Sequence, residues 1–254
     1  MNDLAILLIH YNRIELLKKT LGSLRKIFQN EVDYIVADDS SSATIIKQIN
    51  DLKIKLIQNE GTKGTGGNTN SGLLGIKNKY IFQIQDDFEI RNNNRDLIEI
   101  ITNVMNLNQD IDIIRFFGVP KNLRVKETRI YRGYKILIYD NNPILNFPYS
   151  FNLYSDTPHL KRIEFHQKYG LYHEYPKMEW TETEFSMRCL KKNATIASIE
   201  KINNIFVHNG EERSYRNKSK IKSKFSSIYL QCLKMLFAYF IYRITRVFPK
   251  VLYN

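Results

Sequence analysis

Short apolar runs alternate with amphipathic stretches over the first hundred residues, and two of these runs end at a pair of aspartates. Leu4–Ile9 is continuously apolar, which is typical of a strand covered on both faces of a sheet. Val32–Ala37 leads into Asp38-Asp39, and Tyr80–Gln85 leads into Asp86-Asp87. Alternating strands and helices predict a doubly wound, mostly parallel α/β sheet. Right-handed crossovers would then bring both acidic pairs to the same edge of that sheet.

The remaining elements are predicted from hydrophobic spacing and turn residues. The Gly-rich stretch at 61–75 is expected to be a loop, as is the segment rich in Asn, Pro and aromatic residues at 141–158. Residues 129–139 are expected to pair as a hairpin. Further helices are expected over residues 15–28, 44–52, 96–107 and 181–190, and further strands over residues 54–57, 111–119, 195–199 and 205–207.

The C-terminal segment differs from the rest of the chain in charge. Between Arg213 and the C-terminus there are ten Lys or Arg and no Asp or Glu, which leaves +2 of the total +12 for the first 212 residues. Within this segment, Phe225–Tyr242 is apolar and aromatic except for Lys234. That run is short for a membrane span and carries a charge near its middle, so an interfacial helix on an anionic membrane is predicted. The alternative is a helix that packs on the domain or in a homodimer.

Cysteine usage and the N-terminus predict a cytoplasmic protein. Cys189 and Cys232 are the two cysteines, which is too few for a disulfide framework. The N-terminus lacks the basic flank and the long apolar core of a signal peptide. A basic tail would also suit nucleic acid, but the apolar run within it favours a membrane surface and no nucleic-acid partner.

Three groups of residues suggest ligand chemistry at the predicted sheet edge. The acidic pair after residue 85 is either a solvated turn or a set of oxygen ligands for a hard cation. Asp39 either accepts hydrogen bonds from a nucleobase or ribose, or caps a helix. The Gly-rich stretch from Asn59 to Gly72 is either a surface loop or a backbone that approaches a diphosphate, and it lacks P-loop spacing.

A second set of acids lies at the start of the helix predicted at 181–190. Glu182 and Glu184 are two residues apart, so they cannot share one face of a helix. Either one points at a substrate, or both are acids that stabilise the first helical turn. His208 follows a short apolar run, and is either structural or a ligand of the same cation as Asp87.

In this order, the segments resemble the inverting family 2 glycosyltransferases of the GT-A fold. The similar segments are Ala5–Arg13, Ile35–Ser41, Asn59-Glu60-Gly61 with Asn70-Ser71-Gly72, Gln85-Asp86-Asp87 at the place of the Asp-x-Asp motif, Thr181–Arg188, and Phe206–Ser214. The chain departs from the family pattern at Gln85, where an acid is usual, at Thr181, where an acid commonly precedes the base, and at Thr69, where many members have Arg or Lys.

The resemblance implies a metal-dependent enzyme that moves a sugar from a nucleotide-diphosphate donor, with UDP-sugar favoured, to an acceptor hydroxyl with inversion. It implies a transferase domain over residues 1–215, followed by a basic helical tail at 216–254. The alternative is a catalytically inactive GT-A-like scaffold at the membrane. The implied roles are nucleotide binding by Tyr11, Arg13, Asp39, Gly66, Asn70 and Asp86, Mn²⁺ or Mg²⁺ binding by Asp87 and His208, and general-base catalysis by Glu182.

Glu182 is preferred to Glu184 by register, because the family's base lies six residues before the helix arginine, here Arg188. The expected partners are a nucleotide-sugar donor, a glycan or lipid-linked acceptor, and the anionic surface of the cell membrane. The protein is expected to bind that surface peripherally, on the inner face. These features suit the assembly of a bacterial surface polysaccharide or glycolipid.

Overall fold

Strands and helices alternate along the chain in the computed structural model, which describes residues 3–29, 31–91, 102–147, 149–174, 178–200, 205–210 and 225–245. The strands are β1 (Leu4–His10), β2 (Asp33–Asp38), β3 (Lys55–Gln58), β4 (Tyr80–Gln85), β5 (Phe88–Ile90), β6 (Ile113–Arg115), β7 (Val125–Tyr131), β8 (Tyr134–Tyr139), β9 (His159–Arg162), β10 (Ile196–Ile199) and β11 (Phe206–His208). The helices are α1 (Ile14–Phe28), α2 (Ala43–Asp51), α3 (Gly64–Leu74), α4 (102–107), α5 (Phe165–Tyr169), α6 (Met178–Lys191) and α7 (Phe225–Thr245).

Nine strands form the central sheet in the order β3-β2-β1-β4-β9-β6-β10-β8-β7. Strands β1 to β4 run parallel to one another, and the register places His10 beside Asp38 and Ile9 beside Gln85. The two acidic pairs therefore follow neighbouring parallel strands at one edge, as predicted. The mixed, mainly parallel α/β architecture with flanking helices confirms the predicted fold class.

Antiparallel strands complete the sheet and add a second, smaller one. Strand β9 lies antiparallel between β4 and β6, and β7 and β8 form the predicted hairpin. Strand β11 pairs with β5 in the two-stranded sheet, with His208 opposite Phe88. This pairing brings the late histidine next to Asp87, which directly precedes β5.

The hydrophobic core has two parts, one on each face of the central sheet. Alternate residues of β1 point to opposite faces, as strand geometry requires. Leu4, Ile6 and Leu8 pack with α1, while Ala5, Leu7 and Ile9 belong to a second cluster. That second cluster also contains buried residues of α6 and α7, namely Phe185, Met187, Ala238, Tyr239 and Tyr242.

The Gly-rich stretch was predicted to be a loop, and this prediction was wrong. Residues Gly64–Leu74 form α3, a helix that packs directly against β1 and β2. Its glycines allow that packing, because a Cβ on Gly72 would lie 2.6 Å from Leu7 Cδ1 and 2.9 Å from Ala37 Cβ. Composition suggested flexibility, but close contact between helix and sheet is what these glycines provide.

The middle of the chain differs from the prediction. The strand expected at 111–119 is only three residues long. Of the helix expected at 96–107, residues 102–107 are helical, and residues 96–101 lie outside the described residues. Strand β9 and helix α5 were not predicted. No helix among the described residues is both long enough and apolar enough to cross a membrane.

Candidate functional site

The site begins with Asp86, whose carboxylate is fully buried and held on both oxygens. His10 Nδ1 lies 2.7 Å from Asp86 Oδ2, and Arg13 donates to both oxygens, with Nε 3.3 Å from Oδ2. The hydroxyl of Thr20 donates to the backbone carbonyl of Asp86 at 2.8 Å. These contacts fix the loop after β4 to the end of β1 and the start of α1. They also occupy both carboxylate oxygens of Asp86, the atoms through which this residue would bind a ligand.

Asp87 differs from Asp86 because one of its carboxylate oxygens is open, which here means that it has no hydrogen-bond partner among the described residues. Its Oδ2 accepts a hydrogen bond from Arg13 at 2.8 Å and lies 3.3 Å from His208 Nε2. Its Oδ1 is buried and has no hydrogen-bond partner among the described residues. Burial raises the pKa of Asp87, but His208 and Arg13 outweigh it and bring the pKa below the usual range. Asp87 is therefore an ionised carboxylate with an unused acceptor.

The backbone after β11 lies close over this carboxylate. Asn209 N–H donates to the backbone carbonyl of Asp87 at 2.7 Å. A Cβ on Gly210 would lie 2.6 Å from His208 Nε2 and 2.8 Å from Asp87 Oδ2, so a larger residue would crowd both groups. The small sheet of β5 and β11 thus holds the imidazole and the carboxylate side by side.

The residues present fit a divalent cation that is held only partly by the protein. Asp87 offers an open anionic oxygen, and His208 offers an imidazole whose side chain is 45% exposed. No group of three or more His, Cys, Asp or Glu side chains with metal-binding geometry occurs in the described parts of the chain. Mg²⁺ is usually bound by one or two protein carboxylates with substrate phosphates and waters as the other ligands.

Glu182 faces the sheet edge across a second acid, Asp156. Gln85, at the end of β4, donates from Nε2 to Asp156 Oδ2 at 2.9 Å, and the Asp156 N–H donates to Glu182 Oε1 at 3.2 Å. Burial, followed by the Glu182 carboxylate, raises the pKa of Asp156 well above its usual range. Asp156 therefore keeps its proton to a higher pH than a free aspartate does, and it links β4 to α6.

The loop that carries Asp156 rests on a buried arginine. Arg115, 2% exposed at the end of β6, donates to the carbonyls of Asn152, Leu153 and Phe117, the last two at 2.9 and 3.2 Å. Burial lowers the pKa of Arg115 to about 10, which still leaves the side chain a cation at neutral pH. Carbonyl oxygens and nearby acids stabilise this cation. This contact fixes the loop that leads to Asp156.

Glu184 has a different environment from Glu182, although only one residue separates them. Its carboxylate is fully buried and accepts from Arg188, with Nε 3.0 Å from Oε1, and from the Tyr242 hydroxyl at 3.0 Å. Glu182 is half-buried and turned toward Asp156. The two acids do not share one face of α6, as their spacing predicts: Glu184 is buried and structural, and Glu182 is accessible.

Asp39 is fully buried at the amino end of α3. Its carboxylate accepts from the backbone N–H groups of Lys63 and Gly64 at 2.7 and 3.0 Å, and from Asn59 Nδ2 at 3.3 Å. These contacts are with the start of α3, whereas the helix that follows Asp39 in the sequence, and that it would cap under the alternative, is α2. They leave the predicted nucleobase contact of Asp39 as a prediction.

The other predicted nucleotide-binding residues lie around this same edge. Tyr11 is half-buried in the loop after β1. Gly66 packs against the start of α6, because a Cβ there would lie 2.8 Å from Thr181 Cγ2. Asn70 exchanges two hydrogen bonds with the backbone of Tyr172, at 2.8 and 2.9 Å. Gly66 and Asn70 thus have contacts within the protein, and their predicted nucleotide contacts stay predictions.

Sequence reasoning missed the parts played by His10 and Asp156. His10 could have been noticed as a polar residue that ends an apolar strand just ahead of the first loop. Asp156 gave no local signal, because its partners Gln85 and Glu182 are 71 and 26 residues away.

The model for the family described as glycosyl transferase family 2 matches residues 5–162, which is more than half of the chain. This chain belongs to glycosyl transferase family 2. Membership indicates a transferase, and Asp39, Asp86 and Asp87 lie within the matched region. Glu182 and His208 lie beyond it, so their proposed roles rest on where the structure places them. No protein with a curated function matches the chain.

Solved glycosyltransferase structures share the fold at low sequence identity. S. aureus TarS 1–349 in complex with UDP-GlcNAc has a TM-score of 0.66 and 17% identity, covering 96% of this chain and 72% of that one. TarS 1–349 alone gives 0.58 and 19%, covering 78% and 58%. Mannosyltransferase PcManGT from Pyrobaculum calidifontis, in complex with GDP-Man and Mn²⁺, gives 0.58 and 9%, covering 84% and 58%. The chain described here covers 35% of the longer S. aureus TarS chain, of which residues 1–349 are a part.

Proposed function

We propose that this protein is an inverting glycosyltransferase that moves a sugar from a nucleotide-diphosphate donor, preferably a UDP-sugar, to an acceptor hydroxyl. The observation that carries the proposal is the open carboxylate oxygen of Asp87 beside His208. Asp87 follows the carboxyl end of the parallel strand β4, where open α/β sheets bind their ligands, and β11 brings His208 beside it. Family membership and the two donor-bound structures of similar fold support this class of donor.

Asp87 and His208 are the residues that would hold Mg²⁺ or Mn²⁺ in this site. When bound there, a divalent cation offsets the charge that develops on the leaving diphosphate. Arg13 lies against the same carboxylate, 2.8 Å from Asp87 Oδ2, and adds a fixed positive charge to the donor site. Asp86 serves this arrangement by orienting Arg13 and His10.

Glu182 acts as the general base in the proposed reaction. It removes the proton from the acceptor hydroxyl while the acceptor oxygen attacks the anomeric carbon. The bond between that carbon and the diphosphate oxygen breaks on the opposite side, so the configuration inverts and the electron pair leaves with the diphosphate. Asp156 holds Glu182 in place through its backbone N–H, which donates to Glu182 Oε1.

The proposed acceptor is a glycan or a lipid-linked sugar at the inner face of the cell membrane, in the assembly of a bacterial surface polysaccharide or glycolipid. The basic and aromatic C-terminal segment supports this part of the proposal, since it carries ten cations and no acid.

The test combines donor binding with turnover for the full chain. Thermal-shift measurements with a panel of nucleotide sugars, with and without Mn²⁺, should show stabilisation by UDP-sugars that grows with the metal. Asp87→Asn should lose the metal-dependent part of that stabilisation. Equal donor affinity with metal and with chelator would contradict the proposed metal site.

Glu182→Gln should keep donor binding and lose turnover by about 10²–10⁴-fold, since a positioned general base contributes about that much. Glu184→Gln is the matched control: it should lower stability, because it removes one member of a buried ion pair, while the folded fraction keeps turnover. Full turnover in Glu182→Gln, with Glu184→Gln folded but inactive, would overturn the assignment. Donor binding without turnover on any acceptor would favour the inactive scaffold.

A further inference from the structure

Helix α7 has one face packed on the domain and another face exposed. Ala238 and Tyr239 are 3% and 2% exposed and belong to the second core cluster. Phe237 and Ile244, on the other side of the helix, are 69% and 83% exposed. Together with Leu233 and Phe240 they recur at intervals of four, three and four residues, which places them in one stripe. An exposed apolar stripe of this kind marks an interaction surface.

A basic cleft lies beside this stripe. It has a volume of about 490 Å³ and runs between the end of β8, the end of α6 and α7. Phe240 and Arg243 of α7 line it, and Lys126 and Lys191 add two further cations. Asp140 is its acid, and Arg124 Nε lies 3.8 Å from the Asp140 carboxylate. The cleft therefore carries net positive charge next to exposed aromatic surface.

The cleft lies at the opposite ends of the strands from Asp87. Thr195 lines the cleft and directly precedes β10, which is parallel to β6. Strand β6 is in turn parallel to β4, because both pair antiparallel with β9. The cleft is thus at the amino ends of these strands, whereas the acids follow the carboxyl end of β4. A ligand of the cleft would not compete with the donor.

We propose that the α7 stripe and the basic cleft bind the surface of a bilayer that contains anionic phospholipids. The stripe would enter the boundary between headgroups and acyl chains, and the cations of the cleft would meet lipid phosphates. The charge of the chain favours this occupant, because the segment from Arg213 onward has ten Lys or Arg and no acid. A second copy of the same basic surface would be repelled by like charge.

A hydrogen bond connects α7 with α6, the helix that carries the proposed base. The Tyr242 hydroxyl donates to Glu184 Oε1 at 3.0 Å, and Glu184 is two residues from Glu182 on α6. Membrane binding through α7 would therefore fix the orientation of the base helix relative to the bilayer. This orientation matters only with the proposed transferase function, whereas membrane binding does not depend on it.

The first test is flotation of the full chain with vesicles of phosphatidylcholine, either alone or mixed with phosphatidylglycerol. Phe237→Ser with Phe240→Ser should weaken binding to the anionic vesicles at least about tenfold, since two apolar side chains lose their burial. Leu74→Ser with Ile130→Ser is the matched control, because those side chains are 79% and 74% exposed elsewhere. Circular dichroism would confirm that all variants are folded.

The second test separates the cleft from general positive charge. Lys191→Gln with Arg243→Gln should weaken binding to the anionic vesicles, whereas Lys47→Gln with Lys77→Gln, which removes equal charge from exposed sites elsewhere, should leave it unchanged. Equal binding of wild type and the Phe237/Phe240 variant, or equal binding to neutral and anionic vesicles, would overturn the proposal. A lipid-free dimer that this variant abolishes would also overturn it, because the face would then be an interface between copies.

Discussion

Asp156 couples the proposed base to the stability of the protein. Burial and then the Glu182 carboxylate raise the pKa of Asp156, so the folded state keeps a proton that the unfolded chain releases above about pH 3.9. The free energy of unfolding should therefore fall as pH rises from that value toward the folded pKa. Asp156→Asn is neutral at every pH, so its unfolding free energy should lack this decline. Urea denaturation at a series of pH values measures both slopes.

Asp110 provides the opposite sign as a control for that experiment. A hydrogen bond with Arg129 lowers the pKa of Asp110, so its contribution to stability is present above the unfolded pKa and is lost as pH falls. Asp110→Asn should remove that loss at low pH and leave the decline due to Asp156 intact. Identical slopes in wild type and Asp156→Asn would show that Asp156 does not hold the extra proton.

Some site residues were predictable from the sequence and others were not, because only some of them belong to a local pattern. Asp87, Glu182 and His208 each lie at the end of a strand or the start of a helix, where a local pattern can be recognised. Asp156 and His10 acquire their roles from partners that are distant in the chain. The sequence also could not show that Asp86 and Asp87 differ, because the difference depends on which oxygens Arg13 and His10 reach.

Helix α3 shows that packing can make a Gly-rich segment helical. Gly72 lies where a Cβ would come within 2.6 Å of Leu7 and 2.9 Å of Ala37, two residues of buried strands. Gly72→Ala should destabilise the protein by about 1–3 kcal/mol, as overpacking of a core does. Gly22→Ala is the control, because Gly22 is exposed in the middle of α1 with nothing within 4 Å of the added Cβ. It should stabilise by about 0.5–1 kcal/mol.

Both changes are measured by equilibrium denaturation, and equal effects of the two would contradict the packing role of Gly72.

Helix α3 also shows why a loop was expected. Residues 61–75 have low helix propensity, and the groups that start the helix are supplied from the end of β2, where Asp39 accepts from Lys63 and Gly64. Strands β1, β2 and β4 were predictable because continuous apolar runs decide them locally. Strand β9 was not, since its pairing with β4 and β6 depends on tertiary contacts.

At the scale of the whole molecule, α7 completes the core of the domain that carries the proposed donor site. Its hydrogen bond from Tyr242 ends on Glu184, a carboxylate that is fully buried. Tyr242→Phe keeps the ring and removes this bond, so it should lower the free energy of unfolding by about 1.5–3 kcal/mol, the usual range for hydrogen bonds to charged groups. Tyr239→Phe is the control, because Tyr239 packs beside Phe151 in the same cluster and is not bonded to Glu184. If urea denaturation gave the two variants the same stability, this bond would not contribute to holding α7 on the domain, and membrane binding through the other face of α7 could not orient the base helix through it.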